Sequence, residues 1–191
     1  MARLAVGAVS AVALGACSIG AGARARDYAI SHLMFQREGT VECLERFLAA
    51  YPGDPGFVDY LETVEGSRCP DVRILNKDDA QLEMWTEQPV GGWREFKPGE
   101  PRSWFTAATQ EGDTVEIAVT SVGGGDGGNV ENFPVRRTVA ACWTLVADLS
   151  TRTAEAVDGG ECHEAVMWPD TEIMDWEDVR RKYAENVEQS D

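Results

Sequence analysis

Between residues 139 and 149 every second side chain is apolar: Val139, Ala141, Trp143, Leu145, Ala147 and Leu149. A period of two is the mark of a strand with one face on the core. Ser150–Arg152 reads as a turn, and Thr153–Val157 as the returning strand. Cys142 and Cys162 have their midpoint at residue 152, inside that turn. Folding a hairpin there brings the two cysteines opposite each other, so the spacing predicts a Cys142–Cys162 disulfide and commits this half of the chain to an antiparallel sheet.

The same alternation recurs upstream. Val115, Ile117 and Val119 alternate with Thr114, Glu116 and Thr120, and Gln110–Asp113 supplies a hairpin turn to a partner strand at 104–109. Val72–Ile74 reads as a short strand and residues 80–86 as a further one. Pro89, Pro98, Pro101 and their neighbouring glycines make 87–102 an irregular loop.

Ahead of the strands the period changes. Ile30, Leu33, Met34, Val41, Leu44, Phe47 and Leu48 recur at helical spacing. Asp27 is the expected N-cap, and Gly39-Thr40 an expected break with Thr40 capping a second piece. Tyr51–Asp54 reads as a turn. Asp54-Pro55 opens another helix through Phe57, Leu61 and Val64, stopped by Gly66, and Asp175–Val187 reads as a last helix. Helices before and after an antiparallel sheet of about five strands give an α+β class, with an N-terminal helical hairpin packed on the sheet. The order of elements is similar to that of cystatin-like and NTF2-like cone folds, a likeness that implies no function.

The N-terminus carries one Arg at position 3, then an apolar run from Leu4 to Ala16 broken only by Ser10. Its length suits a signal segment better than a membrane span, which needs about 20 strongly apolar residues. Leu14-Gly15-Ala16-Cys17 resembles a bacterial lipobox. The resemblance covers only these residues, and implies cleavage before Cys17 and a lipid on its sulfur. Residues 1–16 are then a signal peptide, 17–26 a lipidated cysteine and flexible tether, and 27–191 a single disulfide-bonded domain held in the cell envelope on the outer side of the cytoplasmic membrane. Ordinary cleavage after Ala23 or Ala25, giving a secreted protein, and a retained N-terminal anchor are the alternatives.

With Cys17 set aside, four cysteines remain, and export makes two disulfides the default. Three pairings are possible; sequence order favours Cys43–Cys69 beside Cys142–Cys162. With 33 acidic against 17 basic side chains the net charge is −16, which argues against nucleic acid and against peripheral binding to anionic lipid. The membrane, through the lipid, is the expected partner, with an envelope protein or a small neutral ligand as a second.

Motifs for chemistry are sparse. Gly123, Gly125 and Gly128 match a G-x-G-x-x-G spacing, but Pro134 and a strand follow where a dinucleotide site needs a helix. Calcium would need more oxygens than Asp126 and Asn129 offer. The expectation is a mobile, ligand-free loop. His32 and His163 lie far apart in sequence, so no metal and no cofactor are called. Of six Trp, Trp85, Trp93 and Trp104 cluster in the Pro/Gly-rich region and are the candidate binding residues. The chain reads as a non-catalytic binding or interaction module. The alternatives are an exported hydrolase using carboxylates, with no pair singled out, and a structural subunit of a membrane complex.

Overall fold

The computed structural model describes residues 6–63, 72–74, 101–128 and 135–189. The chain is α+β, with a long N-terminal helix, an antiparallel sheet and a short C-terminal helix. Strands β2 (Arg102–Glu111), β3 (Thr114–Asp126), β4 (Arg136–Asp148) and β5 (Thr153–Asp158) form an antiparallel meander in chain order. Strand β1 (Val72–Ile74) extends it in parallel beside β2. The two-residue β6 (Glu172–Ile173) lies parallel to β4 at Val139–Ala140, on the edge that β5 occupies further along.

The alternating runs land as expected. Val115, Ile117 and Val119 of β3 share a face with Val139, Ala141, Trp143, Leu145 and Ala147 of β4. That face is covered by α1 (Val6–Ala50), through Ile30, Leu33, Leu44, Phe47 and Leu48, and by α3 (Trp176–Glu188), through Trp176 and Val179. Burying each such aliphatic side chain contributes about 1.5–3 kcal/mol. The short α2 (Phe57–Thr63) adds Phe57 and Leu61, with Tyr51 edge-on to Phe57. The opposite face carries a smaller cluster of Trp104, Val122, Ala140 and Val166. There Cys142 and Cys162 are bonded, their Cα atoms 5.3 Å apart. Cys43 is disulfide-bonded as well; its expected partner Cys69 lies outside the described residues, as do the strand expected at 80–86 and the helix stop at Gly66.

Three expectations are corrected. Helix α1 does not start at Asp27, nor does it break at Gly39-Thr40. Thr40 is buried inside it and donates its hydroxyl to the Gln36 carbonyl one turn back, 2.6 Å away. That back-bond satisfies the hydroxyl without ending the helix. Nor are residues 18–26 extended tether: they are helical, with Ala21 and Ala25 buried.

The third correction explains the second. Gly123, Gly124 and Gly125 are not a mobile loop but the buried end of β3. A Cβ on Gly123 would stand 2.0 Å from the Ala29 carbonyl oxygen, one on Gly125 2.0 Å from that of Ala25, and one on Gly127 1.7 Å from that of Ala21. The helix backbone therefore rests on the strand backbone. The periods match: four helical residues advance about 6 Å and two strand residues about 6.6 Å. Ala21, Ala25 and Ala29 thus step down β3 in register with Gly127, Gly125 and Gly123. On the other face, a Cβ on Gly124 would meet Pro101 Cγ at 2.6 Å.

Gly125→Ala should therefore lower stability in chemical denaturation by about 3 kcal/mol, the upper end of overpacking costs, because backbone and not a flexible side chain must move. Gly20→Ala meets nothing within 4 Å and should raise stability by up to about 1 kcal/mol, as an alanine in an exposed helix does. A neutral Gly125→Ala would mean that α1 does not lie on β3.

Candidate functional site

The backbone contact fixes what lies at that end of the molecule. On the β4 side of α1, Gly22, Ala23 and Arg26 face Val135, Arg137 and Thr138, with Asp170 and Glu172 closing the far side. Together they line an open groove of about 600 Å³. Arg26 is committed within it. Its Nε and Nη2 donate to Glu172 Oε2 and Oε1 at 2.8 and 2.6 Å, a bidentate pair that ties α1 to β6. The Arg26 guanidinium holds the Glu172 carboxyl below its usual range. Arg137 and Asp170 differ: among the described residues neither side chain makes an ion pair or a hydrogen bond. The Arg137 guanidinium lies across from the side chain that Gly22 lacks, 3.8 Å from where its Cβ would be.

Three turns further along α1 a second arginine is built into the core. The Arg37 guanidinium stacks on Trp176 and Trp143, 4.4 and 5.1 Å from the ring centroids. Its Nη2 bonds Asp158 Oδ1 at 2.6 Å and the Ala156 carbonyl at 3.2 Å. Asp158 accepts a second cation, Arg180, so one carboxylate links α1, β5 and α3. Trp143 Nε1 in turn donates to Ser121 Oγ at 3.0 Å, and Ser121 is bonded to Ser103 Oγ at 2.8 Å. Stacking a desolvated guanidinium on indole contributes about 2 kcal/mol. This is a structural clamp, and the helical spacing gave no hint of it, since Arg37 reads as an ordinary solvated position.

The candidate tryptophans are not brought together by the described residues. Trp104 is buried in the back-face cluster with Arg102 5.9 Å from its ring centroid; Trp85 and Trp93 lie outside the described residues. His32 is exposed on α1, whereas His163 lies on the opposite face of the sheet, its backbone N–H donating to Thr120 Oγ1 at 3.0 Å. Asp126 ends β3 exposed, opposite Arg136, and Asn129 is outside the described residues. Among the described residues no three His, Cys, Asp or Glu side chains converge as a metal site would need, and no helix is long and apolar enough to cross a membrane. No protein-family model, no curated protein and no solved structure matches the chain.

The Asp158 clamp has a pH signature. Hydrogen bonds from Arg180, then from Arg37, hold its carboxyl at about 2, against an ordinary 3.8. A depressed value means the ionised form is bound by the fold. Its contribution is complete above pH 3.8 and is lost as the pH falls through about 2. In thermal melts across that window wild type should lose stability more steeply than Asp158→Asn, which should already be less stable at neutral pH. Parallel profiles would show that ionisation of Asp158 contributes nothing to the clamp.

Proposed function

We propose that this is a lipid-anchored cell-envelope protein, acylated at Cys17, whose body is a non-catalytic binding module. The observation that carries the reading is Leu14-Gly15-Ala16-Cys17 placed just ahead of the first residues packed on the sheet. Cys17 precedes Ala21 by one helical turn, about 6 Å along the axis. Cleavage before Cys17 leaves the whole Ala21–Ala25–Ala29 contact intact. Cleavage after Ala23 would strip Ala21 from it and uncover Gly127, and cleavage after Ala25 would strip Ala25 as well and uncover Gly125, which weighs against a freely secreted product. The lipid would then hold the body directly at the membrane surface, where the expected flexible tether would have given it a longer reach.

The unbroken course of α1 from Val6 favours a second reading, in which the helix is kept and the N-terminal apolar run is itself the anchor. Intact mass spectrometry of the protein from its native membrane separates them. The expected N-terminus is Cys17 with a diacylglyceryl mass. An N-terminus at Met1 or Ala2 supports the retained helix, and an unmodified one at Arg24 or Arg26 defeats both.

A further inference from the structure

We propose that the groove between α1 and the start of β4 binds a zwitterionic phospholipid headgroup, one that carries a phosphodiester and a primary ammonium. The proposal rests on the membrane-anchored reading for its source of ligand, but its chemistry is that of the groove.

Three observations converge. The first is charge. Arg26 and Glu172 are tied to each other; Arg137 adds to the positive field on Glu172, yet among the described residues neither Arg137 nor Asp170, which lines the same groove, makes a direct ion pair or hydrogen bond. A guanidinium matches a phosphodiester, and a carboxylate accepts the N–H donors of a primary ammonium. A simple anion would be drawn to Arg137 but repelled by Asp170.

The second is shape. Gly22 carries no side chain, and with Ala23 and Val135 it leaves an apolar floor beside the two charges. That floor suits the glycerol end of the ligand.

The third is depth. Gly22 follows Cys17 by five residues, about 7.5 Å of helix. The headgroup layer on each side of a bilayer is about 5–8 Å thick, given roughly 30 Å of hydrocarbon within 40–45 Å in all. With Cys17 at the hydrocarbon boundary and α1 along the membrane normal, the groove opens at headgroup level. Trp168 and Ile173, 47% and 61% exposed, flank Asp170 and Glu172 on the same segment, and exposed Trp favours the membrane–water interface.

The test is calorimetric titration of the full chain, in detergent, with glycerophosphoethanolamine. Saturable binding is expected. Glycerophosphocholine, whose quaternary ammonium has no N–H, should bind about tenfold more weakly, the worth of one charge-assisted hydrogen bond. Arg137→Gln and Asp170→Asn should each cost a similar factor, and inorganic phosphate should not compete. Gly22→Leu should abolish binding without lowering the melting temperature, because its Cβ meets nothing closer than 3.8 Å and leucine is a better helix former than glycine. Wild type purified from its membrane should carry an aminophospholipid, and Gly22→Leu should not.

No saturable binding, binding unmoved by Gly22→Leu, or phosphate competing with equal strength would overturn the proposal. A bound headgroup with no co-purified lipid would overturn its membrane source. Mass spectrometry of the same preparation keeps the two readings apart. A lipidated chain that fails to bind sinks the groove alone, and an unlipidated chain that binds keeps the groove and removes the Cys17 anchor.

Discussion

The architecture depends on one contact: a helix backbone lying directly on a strand backbone, with hydrogens where side chains would otherwise keep them apart. The hydrogens that stand in for Cβ on Gly123, Gly125 and Gly127 point at the carbonyl oxygens of Ala29, Ala25 and Ala21, the arrangement of weak Cα–H···O contacts. Individually such contacts are worth little. Collectively they fix the height, direction and register of α1, because a one-residue slip of β3 would turn the Gly123, Gly125 and Gly127 face away and bring Val122, Gly124 and Asp126 against the helix backbone. With that register fixed, Ile30 and Leu33 reach the core over β4, and the deep packing of α1 through Leu48 follows.

The polar ties across the top of the molecule are consequences of the same register. Arg26 arrives opposite Glu172 and Arg37 arrives between Trp143 and Trp176. Each then recruits an element that could not hold its place alone. Strand β6 is two residues long, and α3 is polar over most of its surface, burying little beyond Trp176 and Val179. A half-buried arginine is costly unless its charge is met. Here Asp158 meets it, with the indole faces of both tryptophans, and the same carboxylate holds Arg180 of α3. The desolvation cost is therefore offset by groups from three elements, so the pair specifies the position of α3 as much as it stabilises it.

How much of this could be read beforehand follows from where each signal resides. Strands β3 and β4 were legible because alternation is written within one segment, and the Cys142–Cys162 bond because its hairpin is local. The Gly123–Gly125 run is opaque for a reason of the same kind. A glycine run carries no side-chain pattern, so its composition alone points to a loop; its real meaning is held by Ala21, Ala25 and Ala29, about a hundred residues away. Those alanines were hidden in turn, because a segment next to a signal peptide is expected to be a tether. Small residues at spacing four in one segment and spacing two in another were both visible, and only their pairing was not. The groove is illegible for a further reason: Arg137 and Asp170 gain meaning only from sharing one groove without a direct ion pair or hydrogen bond among the described residues, and no sequence pattern encodes that.

The net charge of −16 bears on the groove in a way that composition alone obscures. Whole-chain charge governs the long-range field, which salt screens over about 8–10 Å. That field repels an anionic lipid surface or a free anion, as the composition suggested. It exerts almost no net force on a ligand whose own charges cancel. Selection for a zwitterion is thus a product of two scales. The acidic body turns anions away at long range, while at short range the groove offers one cation and one carboxylate, which only a ligand bearing both charges can satisfy together.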